Sequence, residues 1–330
     1  MLVALFPLVV AVVAPPVTPP APVGPVGIGC TTAPAGAPVP ADLHRDSTSW
    51  TTISDDGCQL AVVDQAPTST NVHLAISWDG GTTSARYDLP SVSVTLAPDR
   101  AVALASHAIG FIHVNNPTVV WSAPPQLSAS QFEAIATDGA TTLVQTEQWL
   151  GATNDDGATW RDVPKPPGDA RVVSATKATW LEYLGDPGMG EFETRDHAYE
   201  LRGAAWVEVS VAKPSTKSWR YAEEGEEFWG CGGTSGLVAT KGKKRRVLRS
   251  GLNSSVDSYR FVTTPRGTYA KINGTLYGLA AGAMRVLDGS AAMEGDMPIG
   301  VDAFGAPLFE LPGGIARWTK AGGYRVILSL

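Results

Sequence analysis

The stretch Thr153-Asn154-Asp155-Asp156-Gly157-Ala158-Thr159-Trp160 decides the fold of this chain. Two runs of strand-forming residues need a tight reversal, and Asp155 can supply one by accepting hydrogen bonds from backbone N–H groups of the turn. Gly157 suits a positive φ, which a residue with a Cβ resists. Trp160 has enough apolar area to hold the hairpin against a neighbouring sheet. The stretch therefore predicts a β-hairpin, and an ordinary Asp-Gly turn is the alternative interpretation.

A degraded copy of this pattern lies upstream, and it has Ser84 where the tryptophan would stand. The shared pattern S/T-x-D-x-G-x-T is carried by Thr153, Asp155, Gly157 and Thr159, followed by Trp160, and by Ser77, Asp79, Gly81 and Thr83. Two copies indicate a repeat. The pattern resembles the Asp-box, or BNR, motif of β-propellers, where it forms the turn of a blade hairpin. The resemblance implies a sialidase-like fold and a structural role for these residues.

Short apolar strands and polar turns recur along the rest of the chain. The repeating units begin near Cys58, Ser91, Leu127, Asp169, Pro214, Asn253 and Glu294. A spacing of roughly 40 residues is typical of four-stranded propeller blades. We therefore predict an all-β fold, a β-propeller of seven blades with four antiparallel strands each; six or eight blades and a β-sandwich are the alternatives. A closed ring protects its strand edges, and we expect residues 49–53 to add the outer strand to the last blade.

The composition supports a folded core and argues against one class of partner. Of 330 residues, 44% are hydrophobic and 17% charged, which suits a globular chain rather than a disordered one. Lys+Arg number 25 against 32 Asp+Glu, an acidic excess that is unusual for a nucleic-acid-binding protein. We expect no nucleic-acid partner.

The chain divides by composition into three parts. Residues 1–14 form an apolar run that resembles a signal segment, although no Lys or Arg precedes it. Residues 15–42 are rich in Pro and Ala and predict a semi-rigid spacer, and residues 43–330 predict a single propeller domain. We expect export to a secreted, periplasmic or cell-surface location. No other stretch is long and apolar enough for a transmembrane helix.

Three cysteines occur, Cys30, Cys58 and Cys231, and export would allow two of them to pair. We favour Cys30 with Cys58, which would tie the N-terminal segment to the first blade; Cys231 is the alternative partner. The chain has no C-x-x-C spacing, and its histidines are scattered. We therefore expect neither a metal site nor a cofactor.

Enzymatic activity is the main question that the Asp-box resemblance raises. The sialidases of this superfamily carry an R-I-P motif, which is absent here, so we do not expect sialidase activity. Glycoside hydrolysis by two carboxylates would need a pair of acids facing one cleft. Asp138, Asp186, Glu191 and Asp302 lie near predicted strand ends, and we favour turn formation or a solvated loop position over catalysis for them.

Two loops are candidates for contacting a ligand. The insertion at residues 185–192 contains Asp186 and Glu191, and insertions on propellers often carry the binding surface; a mobile connector without a binding role is the alternative interpretation. The basic run Lys241-Gly242-Lys243-Lys244-Arg245-Arg246 could contact anionic glycans or nucleic acid, but we favour a solvated hairpin tip.

The sequence as a whole predicts an exported, non-catalytic propeller that binds a protein or a glycan through one face of the ring. We expect it to act as a monomer. The alternative is a glycoside hydrolase of the Asp-box propeller type, and a third possibility is an assembly role without a reaction. An enzyme should place at least two acids with perturbed pKa values in the axial pocket, whereas a binding module should show mixed polar residues without such a pair.

Overall fold

The structure is a computed structural model of the chain. It describes residues 29–39, 48–54, 56–65, 71–90, 93–97, 99–105, 108–114, 116, 118–124, 126, 132–138, 141–184, 193–211, 217–225, 234–253, 259–264, 266–288 and 298–330. Across these ranges no helix has the length and apolar character required to cross a bilayer. The predicted signal segment, residues 1–14, lies outside the described residues.

Seven antiparallel sheets follow one another along the chain. The first contains β2 (Thr48–Ile53), β3 (Leu60–Gln65), β4 (Asn71–Ser77) and β5 (Ala85–Pro90). The second contains β6 (Ser93–Leu96), β7 (Arg100–Ala105), β8 (Ala108–His113) and β9 (Val120–Ser122). The third contains β10 (Phe132–Asp138), β11 (Thr141–Thr146), β12 (Leu150–Thr153) and β13 (Arg161–Asp162).

The other four sheets complete the series. The fourth contains β14 (Arg171–Ser174), β15 (Lys177–Leu184), β16 (Glu193–Arg202) and β17 (Ala205–Val209). The fifth contains β18 (Arg220–Gly225), β19 (Thr234–Lys241) and β20 (Lys244–Asn253). The sixth contains β21 (Tyr259–Thr264), β22 (Gly267–Ile272), β23 (Thr275–Ala280) and β24 (Ala283–Asp288). The seventh contains β25 (Pro298–Val301), β26 (Pro307–Leu311), β27 (Gly314–Thr319) and β28 (Gly323–Ser329), with β1 (Ala37–Pro38) at its edge.

The sheets are arranged as the blades of a propeller. The first strands of neighbouring sheets contact one another, β2 with β6, β6 with β10, β10 with β14 and β21 with β25. Within each sheet the strands then follow in sequence order away from that inner strand. The predicted all-β, seven-bladed propeller is confirmed.

Apolar side chains fill the interfaces between adjacent blades. The run Leu60-Ala61-Val62-Val63 shows how the sequence achieves this, because successive side chains of a strand point to opposite faces of its sheet. Leu60 and Val62 pack against the seventh sheet, and Ala61 and Val63 against the second. Similar buried clusters join the second sheet to the third, the third to the fourth, the fifth to the sixth and the sixth to the seventh.

The first and seventh blades meet to close the ring. Ser49 Oγ donates a hydrogen bond to the Leu311 carbonyl at 3.4 Å, and Gly313 N–H donates to Ser49 Oγ at 3.3 Å. Arg86 Nη2 donates to the Ser329 carbonyl at 3.2 Å. The last blade therefore contacts the first directly.

The prediction that residues 49–53 form the outer strand of the last blade is wrong. These residues belong to β2, which pairs with β3 as the innermost strand of the first blade. The turn between the two strands is stabilised locally, because Gln59 N–H donates to Ser54 Oγ at 2.9 Å. The extra strand of the seventh sheet is β1, in which Ala37 pairs with Val326.

Candidate functional site

The turn that contains Asp155 connects β12 to β13, the third and fourth strands of the third blade. Asp155 Oδ1 accepts hydrogen bonds from Thr159 N–H at 2.9 Å and from Thr153 Oγ1 at 2.8 Å, and Asp155 Oδ2 accepts one from Thr159 Oγ1 at 2.6 Å. Gly157 N–H donates to Thr153 Oγ1 at 2.8 Å. The hydrogen bond from the Thr159 hydroxyl is the main cause that lowers the pKa of Asp155. The carboxylate is occupied within its own turn.

The upstream copy of the pattern forms the same turn at the equivalent place of the first blade, between β4 and β5. Asp79 Oδ1 accepts hydrogen bonds from Ser77 Oγ at 2.9 Å and from Thr83 N–H at 2.9 Å. Thr83 Oγ1 donates to Asp79 Oδ2 at 2.7 Å, and Gly81 N–H donates to Ser77 Oγ at 2.8 Å. Two stretches with the same spacing thus fold with the same hydrogen bonds.

Each turn packs closely against a neighbouring blade: the turn of the third blade against the second, and the turn of the first blade against the seventh. Ser122 Oγ, at the end of β9, donates to the Gly157 carbonyl at 2.7 Å, and Trp160 Nε1 donates to Ser122 Oγ at 3.0 Å. A Cβ on Gly157 would lie 2.4 Å from Ser122 Oγ, and one on Gly81 would lie 2.6 Å from the Ile327 carbonyl oxygen of β28. Glycine is therefore required in each turn by the approach of the neighbouring blade as well as by its positive φ.

An ion-paired cluster strengthens the contact of the third blade with the second. Asp156 has φ +53°, and its carboxylate lies 3.0 Å from Arg100 Nη1 and 2.8 Å from His113 Nε2. Arg100 is buried, whereas Asp156 and His113 are half-buried. Because these three side chains join two blades, we assign them a structural role.

The N-terminal segment is anchored beside the first turn. A disulfide joins Cys30 to Cys58. Gly29 N–H donates to the Trp78 carbonyl at 2.9 Å, and Gly80 N–H donates to the Cys58 carbonyl at 2.8 Å. Residues of the predicted spacer, those near Cys30 and those of β1, are therefore attached to the first and seventh blades. Cys231 lies outside the described residues.

Of the four acids considered as catalytic candidates, Asp302 is the one whose side chain belongs to the described structure, and Asp138 is described by its backbone at the end of β10. Asp186 and Glu191 lie outside the described residues, as does the whole 185–192 loop. Asp302 is buried and forms a turn: its Oδ1 accepts hydrogen bonds from Phe304 N–H at 2.9 Å and Ala306 N–H at 2.8 Å. Its Oδ2 lies 2.5 Å from Arg317 Nε. Within the described ranges, no group of three or more His, Cys, Asp or Glu side chains could hold a metal ion.

A cleft of about 600 Å³ lies between the sixth and seventh blades, on the outer side of the ring. The end of β24 forms one wall and the hairpin between β27 and β28 forms another, while Pro38 and Val39 follow β1 along its edge. The larger side chains that line it are those of Leu287, Asp288, Trp318, Lys320, Tyr324 and Arg325. A volume of this size is within the range of small-molecule sites in proteins.

The charge of the cleft is positive. Lys320 and Arg325 are its cations, and Asp288 is the one carboxylate among the described residues that line it. Trp318, which is 9% accessible and packs in the core between the two blades, and the half-buried Tyr324 also line the cleft. The Tyr324 ring lies edge-on to Phe309 at a centroid distance of 5.1 Å. A second cavity, of about 470 Å³, shares Thr319 and Arg325 with the first.

Sequence reasoning missed this cleft. The run Trp318-Thr319-Lys320-Ala321-Gly322-Gly323-Tyr324-Arg325 combines aromatic, basic and glycine residues in one hairpin, and this was the signal available. Asp288, on the opposite wall of the cleft, lies in the sixth blade, and no pattern in the sequence links it to this hairpin of the seventh blade. The cleft arises only when adjacent blades pack.

No protein-family model matches the chain, and no curated protein matches it. Solved structures with a similar course of the chain include the β-propeller domain of the trilobed protease of Pyrococcus furiosus, at 10% identity and a TM-score of 0.49, covering 85% of this chain and 98% of that one. The uncharacterised protein lmo1340 of Listeria monocytogenes is 8% identical, with a TM-score of 0.45 and 91% and 98% coverage. The acylaminoacyl peptidase of Pyrococcus horikoshii is 10% identical, with a TM-score of 0.43, covering 82% of this chain and 51% of that chain. Likenesses at this level concern architecture and carry no information on activity or ligand.

Proposed function

We propose that this chain is an exported, non-catalytic β-propeller that binds an acidic saccharide in the cleft between the sixth and seventh blades. The observation that carries the proposal is the lining of that cleft, in which Trp318 and Tyr324 stand beside Lys320 and Arg325. A guanidinium and an ammonium favour a carboxylate or sulfate group. Aromatic rings favour the C–H faces of a sugar ring, so the combination suits a glycan that carries negative charge.

The lining favours binding over hydrolysis. Cleavage of a glycosidic bond by the usual route needs two carboxyl groups flanking the bond. Among the described residues that line the cleft, Asp288 is the one acid. Asp79 and Asp155 are engaged in the two turns, and Asp302 in a third.

The remaining parts of the proposal concern family and location. The matching hydrogen bonds of the two turns support membership of the Asp-box propeller superfamily, with a structural role for the motif. The apolar run at 1–14 and the Cys30–Cys58 disulfide support export, because disulfides persist in oxidising compartments. We propose a signal segment at 1–14, a spacer at 15–42 that is tied down near Cys30 and β1, and a monomeric propeller over 43–330.

The proposal is tested by calorimetric titration of the purified chain with oligogalacturonate and with its neutral counterpart, oligogalactan. Lys320→Glu should weaken oligogalacturonate binding about tenfold or more, because it replaces an attraction by a repulsion. The matched control is Lys177→Glu, an exposed lysine of the fourth blade. Equal affinity of the wild type and the Lys320→Glu variant for the acidic sugar would show that the cleft is not the binding site. Preference for the neutral sugar would overturn the charge argument.

A further inference from the structure

In the described part of the structure, the fifth sheet ends in an edge strand. Within the described chain it consists of β18, β19 and β20, whereas every other sheet has at least four strands. The strand β20 occupies the third position, and only residues 254–258 separate it from β21. In the other blades, a fourth strand borders the third. In the described part of the chain, β20 is therefore a sheet edge.

The exposure of β20 fits its position. The third strand of the third blade, β12, is buried throughout, and that of the seventh, β27, is buried along most of its length. In β20 the side chains from Lys244 to Val247 are exposed, and Val247 is 53% accessible. An exposed valine beside an open sheet edge marks a surface that another strand could cover.

Backbone groups of β20 point outward at predictable positions. Residues 242–243 form a two-residue loop, so Lys244 and Lys241 are directly opposite each other. In an antiparallel pair, hydrogen-bonded and non-bonded positions alternate. Arg245 and Val247 therefore direct their N–H and C=O groups away from β19, toward the open edge. These are the groups that pair when a peptide joins a sheet as an added strand.

The hairpin that carries this edge is strongly basic. Lys241, Lys243, Lys244 and Arg249 are exposed, and no carboxylate of a described side chain lies within ion-pairing distance of them. Arg246 is used within the protein, because its guanidinium lies 4.8 Å from the centre of the Trp219 ring and its Nη1 donates to Gly282 O at 3.3 Å. The other cations surround an edge in a chain whose net charge is −7.

We propose that β20 accepts an extended acidic segment of a partner protein, which adds to the fifth sheet as its fourth strand. A second copy of this chain is a poor occupant, since pairing β20 with β20 would place lysines and arginines against one another. An acidic segment meets both requirements of the surface. Its backbone pairs with the outward groups of Arg245 and Val247, and its carboxylates lie beside Lys244 and Arg249.

The test uses a fluorescent peptide of the repeating sequence Glu-Val-Glu-Thr, titrated with the full chain and followed by anisotropy. Val247→Pro removes an outward N–H, and proline is tolerated where the N–H faces away from the ladder. We expect it to weaken binding about tenfold, whereas Val247→Ala keeps the N–H and should change binding about twofold or less. The double variant Lys244→Glu, Arg249→Glu should weaken binding at least tenfold, while Lys177→Glu should not. Amide hydrogen exchange at Arg245 and Val247 should slow when the peptide is bound.

Each alternative result overturns the proposal. No binding of the acidic peptide removes it outright. Equal affinity of the Val247→Pro and Val247→Ala variants would show attraction by charge without strand pairing. Single-stranded DNA or heparin could instead bind saturably to the same basic side chains. If the acidic peptide did not compete with that binding, the surface would be assigned to a polyanion. Circular dichroism of the Val247→Pro variant verifies that the sheet is retained.

Discussion

Replacing Gly157 by alanine tests whether the turn at residues 153–160 holds the third blade against the second. A Cβ at this position would lie 2.4 Å from both Cβ and Oγ of Ser122, and 3.1 Å from Phe111 Cε2, all in the preceding blade. Gly203 is the matched control, because it also stands in a hairpin between third and fourth strands, has φ +64° and would have no atom within 4 Å of its Cβ. Both variants incur the cost of a left-handed alanine, about 1–2 kcal/mol. Only Gly157→Ala adds the clash.

The expected difference follows from two contributions. Overpacking a filled site costs about 1–3 kcal/mol. Displacing Ser122 also weakens its hydrogen bond to the Gly157 carbonyl, a net loss of about 1 kcal/mol. Gly157→Ala should therefore reduce the free energy of unfolding by about 2–4 kcal/mol more than Gly203→Ala, measured by urea denaturation with tryptophan fluorescence. Adding Ser122→Gly should recover part of the loss. Equal destabilisation by the two alanines, or no rescue, would refute the tight contact between the blades.

Three further variants test other parts of the structure. The hydrogen bond from Thr159 lowers the pKa of Asp155 in the folded state. The ionised Asp155 therefore stabilises the fold above its unfolded pKa, and this stabilisation is lost as the pH falls through the folded pKa. Asp155→Asn should flatten the decline of the urea midpoint between about pH 5 and pH 3. Burial raises the pKa of Glu310, although the Thr51 hydrogen bond and the Arg260 charge lower it in part. The contribution of Glu310 to the free energy of unfolding is therefore greatest below its unfolded pKa and is lost as the pH rises through the folded pKa. Glu310→Gln should raise the melting temperature at pH 7 and change it little at pH 4. Replacing Cys30 and Cys58 by serine should reduce the free energy of unfolding by about 3–4 kcal/mol, as expected for a loop of this length, and an unchanged urea midpoint would show that the bridge adds nothing.

The repeat could be predicted from the sequence because its hydrogen bonds are local. The spacing of Thr153, Asp155 and Gly157 specifies the turn regardless of the rest of the chain, and the apolar run from Leu60 to Val63 specifies a strand buried on both faces. The predicted unit starts at Ser91, Leu127 and Asp169 lie close to the observed second, third and fourth sheets for the same reason.

The closure of the ring could not be predicted in the same way. Whether β2 joins the first or the last blade depends on competition between a local turn and a distant partner, and the local turn has the smaller entropic cost of loop closure. The strand that does reach the last blade, Ala37–Pro38, is too short to show a periodic pattern. The cleft was missed because Asp288 and Lys320 line it from two different blades, and the edge at β20 because no pattern in β18, β19 or β20 indicates that no described strand follows β20 in its sheet.

The most direct test of binding without cleavage is a proton NMR time course of the chain with an acidic oligosaccharide. Saturation-transfer difference spectra at the start should show signals from the sugar, and these should disappear in the Lys320→Glu variant. Over the following day the anomeric region should stay unchanged, because the described lining of the cleft offers one carboxylate where hydrolysis needs two. New reducing-end signals that grow with time, and that vanish when a single acid of the chain is replaced by its amide, would contradict the account and identify a glycoside hydrolase.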